Sequence, residues 1–499
     1  MKCNRAGLSV IKFSLLYLIA LTIAGCGSSS DDDKGYIRLY NASPNAPQIY
    51  LTVDENLDED DDDEVEVTYS GVAFSKVSAS NALDTGRYFT ELAWRDEESG
   101  DRSDLEVIFE DSVDIKSDNI SFYALTGDIL TPDVLAFDIP VVDDDEDDDD
   151  DLFNIRVLNL HPDYQNVDLY MSKDNETFNE AVLVQSANYK DLSDNIKVEQ
   201  DQYVFYITEV GSTDVLYTSV AQSYSVVTQY VIAIRENMGV GSSPFAIDNI
   251  GINGTTELDD VDSEAEFSFY NAIAESEYIP EYQGSINISV GLKGEKINIT
   301  DLQLGEFSEL ISGENGDYDF SVSEPNSQTL YINNALLSLK ENASNAIFIY
   351  GKEEPIDDDN DGDFDENDDG IVDGYETKIK SLSITKSDST SIYSHNIRII
   401  NLTDSEDFSR VTFYFVQSDE IISTADNKLS VLQESSGNIS LLNNTYELHA
   451  IATIDGIDIK LDSMELILNI NSKDQFLLFE ADEFASTGFK MTLVDQRAD

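Results

Sequence analysis

Basic residues are scarce in this chain: 29 Lys and Arg stand against 100 Asp and Glu, a formal net charge of -71 over 499 residues. Phosphate binding needs a basic face, so nucleic acid is excluded as a direct partner. Charge-driven docking on an anionic lipid surface is excluded for the same reason. Cysteine is limited to Cys3 and Cys26, too few for a disulfide framework, so cores must hold the fold. The three histidines, His161, His395 and His449, do not pair at metal-ligand spacing, and a structural role is expected for His161. HExxH, GxSxG, P-loop and CxxC motifs are missing, and two S-x-x-K matches (Ser9 to Lys12 and Ser383 to Lys386) lack companion motifs. Past the N-terminus no stretch keeps a helical period with caps. Apolar material, by contrast, is plentiful: 41% hydrophobic residues, with 25 Tyr and 23 Phe, suffice for real cores.

The N-terminus opens with Lys2, Arg5 and Lys12, then runs apolar from Phe13 to Ala24. That run is too short for a bilayer span, which takes about 20 residues, and reads as a secretory signal. It ends Ile23-Ala24-Gly25-Cys26. Residues 1–30 thereby resemble a bacterial lipoprotein signal, in which two small residues admit the peptidase and the Cys thiol takes a diacylglycerol. The resemblance implies cleavage after residue 25, lipidation at Cys26 and two or three acyl chains, palmitate among them, as a membrane anchor. Gly27, where Asp would imply inner-membrane retention, implies transport to the outer membrane, facing the surface or the periplasm. Residues 26–34 read as a flexible tether.

Four segments then begin alike: Tyr36 to Ala42, Asn154 to Leu160, Glu266 to Ala272 and Asn396 to Leu402. Each is strand-like and carries Asn near its end, at 41, 159, 271 and 401, where a short amide can close a turn on its own backbone. A turn followed by Tyr comes next, at Tyr88, Tyr203, Tyr318 and Tyr446, so the Asn-to-Tyr spacings are 47, 44, 47 and 45. A Tyr at a strand start after a turn has the spacing of the tyrosine corner of sandwich domains. Fully apolar strands follow (Phe122 to Leu125, Tyr230 to Ile234, Ala346 to Tyr350, Phe476 to Phe479), and an alternating strand closes each unit. The expected fold is all-β: four tandem immunoglobulin-like β-sandwich domains of about seven strands each after the lipoprotein signal peptide. Their expected bounds are 35–142, 152–250, 265–386 and 395–499. The acidic run 143–151, the Gly, Thr and acid-rich 251–264 and the Ser-rich 387–394 read as linkers, and four sandwiches in series are expected to make an extended rod.

The opening Tyr36-Ile37-Arg38-Leu39-Tyr40-Asn41-Ala42-Ser43-Pro44, with the strand that follows, resembles the domain of unknown function 4397, found in tandem in bacterial surface proteins. The second unit is similar through Arg156, Asn159, Pro162 and Asp168. The third and fourth match only the landmarks. The resemblance implies a sandwich at a cell surface and carries no activity.

One constellation carries chemistry. Residues 357–376 fit the calcium-loop pattern, which needs oxygen donors at positions 1, 3, 5, 9 and 12, Gly at 6 and a carbonyl at 7. From Asp365 the donors are Asp365, Asn367, Asp369, Asp373 and Glu376, with Gly370 at the turn and the Ile371 carbonyl. From Asp357 they are Asp357, Asp359, Asp361, Asp365 and Asp368, with Gly362 at the turn and Asp363 at position 7. Asp at position 12 makes this second frame the weaker one. The overlap is similar to thrombospondin type 3 repeats. Calcium is the expected cofactor, at the roughly 10⁻⁴–10⁻³ M affinity of extracellular modules, with metal folding an otherwise self-repelling loop. The segment 355–376 is an insertion in one hairpin of the third unit.

The functional expectation is a non-catalytic, lipid-anchored envelope protein serving as scaffold, adhesion or presentation module. The alternative is a calcium-dependent binding protein for a glycan, peptide or polycation. A hydrolase needs a defined carboxylate pair, which the sequence does not single out. The membrane, through Cys26, is the expected partner; the envelope ligand is open.

Overall fold

In the computed structural model the described residues are 34–56, 65–95, 105–142, 152–292, 295–327, 329–356, 364, 372, 374–482 and 484–496. They form eight sheets built wholly from strands. The sheets face each other two by two around four apolar cores.

Each unit repeats one topology. Its first strand (Lys34–Ala42, Leu152–Asn159, Ala265–Ala272 or Ser394–Asn401) pairs in parallel with the strand that carries the apolar run (Asn119–Thr126, Gln229–Glu236, Ser344–Pro355 or Gln475–Ala481). The latter pairs antiparallel with the closing strand. Parallel neighbours need a crossover, and here the intervening chain supplies it by building the facing sheet. At the centre of that sheet lie Ile49–Asp54 beside Gly86–Arg95, and their equivalents. The units hold eight to ten described strands rather than about seven.

The two landmarks of the repeat are its two hydrogen-bonded latches. Asn41, Asn159, Asn271 and Asn401 are all fully buried. Each Oδ1 accepts from the backbone N–H two residues on, at 3.0–3.2 Å. Each Nδ2 donates to a distant carbonyl: Val72, Ala187, Leu302 and Val431 respectively. One buried amide thus closes the turn and staples it to a later segment, satisfying groups that are costly to bury alone. Tyr88, Tyr203, Tyr318 and Tyr446 donate to the carbonyl four residues upstream, at 3.2, 2.8, 2.6 and 3.1 Å. That is the bond of a tyrosine corner.

The first and apolar-run strands are buried on both faces. Ile37 and Leu39 point into the core of the first unit, while Tyr40 and Ala42 point away from it into a second cluster. There they meet Phe122, Ala124, Leu158, Leu160, Val231 and Ala233, so the first and second units pack outer face to outer face. The third and fourth units repeat this with Tyr270, Ala346, Phe348, Ile400, Phe476 and Leu478. A strand with both faces covered needs apolar residues at both parities, which is why these runs do not alternate.

The remaining joints are polar or aromatic. Between the second and third units, the Asn342 Oδ1 accepts from the Gly241 N–H at 2.9 Å and its Nδ2 donates to Asn237 at 2.7 Å. A Cβ on Gly239 would lie 2.1 Å from the Asn342 amide, so close approach requires glycine there. Between the fourth unit and the first, Trp94 stacks on Tyr393 with centroids 3.9 Å apart. The Ile392 N–H donates to the Asn45 carbonyl, and the Thr390 hydroxyl to that of Pro44. Contacts thus run from each unit to the next, and back from residues 390–393 to the first unit, a closed ring of contacts that the expected extended rod would not make. Residues 387–394, expected as a linker, are the clasp of that ring. Of the expected linker 251–264, Gly254–Leu258 is a strand added to the second unit beside Phe245–Gly251. Residues 143–151 lie outside the described residues.

Candidate functional site

Of the residues expected to bind calcium, Asp357, Asp359, Asp361, Asp363, Asp365, Asn367, Asp368, Asp369, Ile371 and Asp373 lie outside the described residues, as does the expected lipidation site Cys26. Glu376 is described. It sits opposite Glu354 at the mouth of a hairpin whose last pair is Pro355 with Tyr375. The insertion therefore occupies the tip of the hairpin formed by Ser344–Pro355 and Tyr375–Thr385, strands longer than their counterparts in the other units. Among the described residues, no three His, Cys, Asp or Glu side chains gather as a metal site.

The stem beneath that tip concentrates positive charge in a chain that has little. Lys378 bonds Glu354 at 3.0 Å and Glu376 at 3.2 Å. Lys380 bridges Glu354 at 2.7 Å and Glu434 of the fourth unit at 3.3 Å, and Lys352 also pairs with Glu434. Hydrogen bonds from Lys380 and then Lys378 hold the Glu354 carboxyl down to about 2. The Glu353 N–H donates to Asp404, at 2.6 Å, and the Tyr375 hydroxyl to Glu406. Three lysines thus offset the acids of the stem and fasten it to the neighbouring unit.

Two buried polar centres sit in the seams. In the first, the Tyr40 hydroxyl donates to Asp248 at 2.6 Å, and Arg235 grips Asp248 at 2.9 Å and Glu257 at 2.7 Å. Arg235 and Asp248 are essentially inaccessible, and the guanidinium lies 4.9 Å from the Phe74 ring centroid. Burial and then Asp248 push the Tyr40 hydroxyl up. Burial works against the Arg235 charge, but Asp248 and Glu257 outweigh it and hold the guanidinium above its ordinary value. In the second seam, Tyr270 donates to Glu480 at 3.3 Å. Burial pushes Glu480 up to about 7, against the pull of Lys490.

Tyr40 and Tyr270 occupy the same repeat position, and Leu158 and Ile400 fill it in the other two units. The sequence therefore alternates: Tyr-Asn-Ala, Leu-Asn-Leu, Tyr-Asn-Ala, Ile-Asn-Leu. That alternation was the missed signal for which units face each other and for the two polar centres.

His161 is buried, with Nε2 3.0 Å from the Pro244 carbonyl and its ring against Tyr164 and Phe245. This is the structural role expected of it. Trp94 is likewise a seam residue, as its stack on Tyr393 requires. A cleft of about 370 Å³ opens between the first and second units, walled by Pro44, Phe74, Leu160, Pro162, Tyr189 and Met238, with Asp128 and Glu236 also lining it.

Residues 35–170 match the family model described as "Domain of unknown function (DUF4397)". No curated protein matches the chain. Among solved structures, the Bacillus anthracis TIE protein is 9% identical, with 91% of this chain and 75% of that one covered and a TM-score of 0.16. The chicken CNTN1 FN1-FN3 domains are 8% identical, over 61% of this chain and 90% of that one, at 0.12. The pilus adhesin SpaC from Lactobacillus rhamnosus GG is 10% identical, over 90% and 56%, at 0.16. TM-scores this low carry no functional argument. The chain is all-β and sandwich-built, and over residues 35–170 it is similar to a family with no assigned activity.

Proposed function

We propose that this chain is a non-catalytic protein of the bacterial envelope, anchored in the outer membrane through lipid on Cys26. Its sandwiches form a platform for adhesion, presentation or scaffolding, and calcium organises the 357–376 loop at its edge. The observation that carries the reading is the closure of the four units. Burying the outer faces of the first-strand sheets in one another leaves the outer faces of the facing sheets, the turns and the acidic hairpin as what the platform presents. The match of residues 35–170 to a family expected at bacterial surfaces supports it. So does the lysine-braced stem, which fixes the base of a loop whose carboxylates need a cation to converge.

Two measurements test it. Cys26→Ser should abolish acyl labelling and release the chain from the membrane fraction; a variant still labelled and still sedimenting contradicts the anchor. Calorimetric titration of residues 27–499 should show saturable heat with calcium, diminished by Asp365→Ala and Glu376→Ala. Identical titrations of parent and variants reduce the segment to a charged loop.

The cleft between the first and second units favours a second reading, a calcium-dependent binding protein. Its aromatic and proline walls, with Asp128, Glu236 and Arg235 beside them, suit a glycan, a peptide or a side chain of a polycation. Thermal shifts across a ligand panel, lost on Tyr189→Ala, distinguish it.

A further inference from the structure

Where the second unit hands over to the third, a cavity of about 290 Å³ is lined by Thr218, Ser243, Asp260, Asp262 and Ser263, and no Lys or Arg reaches it. Ser243 belongs to the turn before the strand Phe245–Gly251. Asp260, Asp262 and Ser263 lie on the connection into the strand Ala265–Ala272. Asp260 is 8% exposed and Ser263 only 2%.

The Oγ atoms of Ser243 and Ser263 are buried and have no hydrogen-bond partner. Ser263 points at Gly241, where an added Cβ would sit 2.5 Å from its Oγ, so the room for this hydroxyl is built into the backbone. An orphaned buried hydroxyl is costly, and native proteins satisfy such groups with water or an ion. Here two of them share one cavity with two carboxylates. One Asp260 oxygen accepts from the Asp262 N–H at 3.1 Å; the other meets no described donor. Asp259, next to Asp260 on the same connection, is repelled by Glu341 and Asp388 but is itself served by the Asn342 amide and Arg235, so the charge left without a partner among the described residues is that of Asp260 and Asp262. Water alone would satisfy the hydroxyls and leave the negative charge uncompensated. A hard cation satisfies both, and an all-oxygen set of carboxylates, hydroxyls and water is what calcium takes.

We propose that Asp260, Asp262, Ser243 and Ser263 form a calcium site distinct from the 357–376 loop. Filled, it ties the 242–244 turn of the second unit to the segment that launches the third, and so fixes the angle between the two face-to-face pairs. It works beside the amide latch of Asn237 and Asn342, which holds the same joint by hydrogen bonds.

The test uses residues 27–499 carrying Asp365→Ala and Glu376→Ala, so that the hairpin tip is silenced. Calcium is titrated by calorimetry, and terbium by luminescence sensitised through Tyr217, which also lines the cavity. One saturable site should remain. Asp262→Asn, at an exposed side chain, should weaken it at least tenfold. Ser263→Ala should weaken it several-fold while leaving the melting temperature in chelator unchanged or higher, because it removes an orphaned hydroxyl. No residual site in the parent, or residual binding untouched by both substitutions, overturns the proposal. So does a structure grown in calcium with only water between Asp260 and Ser263. If the tip substitutions change nothing while Asp262→Asn does, the loop reading fails and this one stands.

Discussion

Trp94 and Tyr393 stack at 3.9 Å with their planes 20° apart, one on the first unit and the other on the segment entering the fourth. The contact brings the segment that enters the fourth unit back onto the first. Trp94 is the single tryptophan of the protein and only 8% exposed, so its emission reports closure directly. Tyr393→Ala should red-shift that emission and raise its quenching by acrylamide, at a cost of about 1–3 kcal/mol from lost aromatic burial and stacking. An unchanged spectrum contradicts the contact.

The seams should be as sensitive as the cores. Phe348 is fully buried between the third and fourth units, so Phe348→Ala should cost about 3–5 kcal/mol in urea denaturation. Asp248→Asn should cost less, about 1–3 kcal/mol, since it takes one carboxylate from the buried Arg235 and leaves it Glu257. Loss of less than 1 kcal/mol in both would mean that the outer faces are solvated.

Glu480 gives the second seam a pH dependence. Its folded value, about 7, lies above its ordinary 4.5, so the folded state binds more protons between those two values. Its contribution to stability is therefore largest at the acid end, declines as pH rises from about 4.5 through 7, and is then flat. Glu480→Gln should remove that decline and leave the variant more stable at pH 8 by up to about 3 kcal/mol. The check is melting temperature against pH for both proteins; parallel curves contradict the buried carboxyl.

Tyr446 is fully buried and donates to the Leu442 carbonyl. Tyr446→Phe keeps the ring and should cost about 1 kcal/mol, with similar values at Tyr88, Tyr203 and Tyr318. Equal small losses at all four positions would mark the repeat as four copies of one latch; a neutral result at any of them contradicts the latch there.

The repeat was legible in the sequence because its latches need particular atoms. No other residue does what Asn41 or Tyr88 does, so the same letters recur at nearly constant spacing. The ring was harder to read because its seams use the alphabet of a core: Phe348 faces the neighbouring unit and Ile349 its own, and composition does not separate them. Ile392 and Tyr393, apolar residues inside a Ser-rich stretch, were the available sign that 387–394 is a clasp. Gly254–Leu258 read as a linker because an added edge strand needs only one apolar anchor, Leu258. For the 357–376 segment, the sequence supplied the donor pattern expected of a calcium loop, while the fold contributes the hairpin it interrupts and the lysine-braced stem below. The second cation site had no sequence pattern, because its hydroxyls and carboxylates come from separate segments brought together at the joint.

Small-angle scattering of residues 27–499 distinguishes a closed arrangement of the units from an open one. A closed platform of this length predicts a radius of gyration below about 30 Å, near the compact value of about 23 Å. A profile that fits an open string of sandwiches, with a radius of gyration beyond about 40 Å, would contradict the ring and the presented surfaces inferred from it.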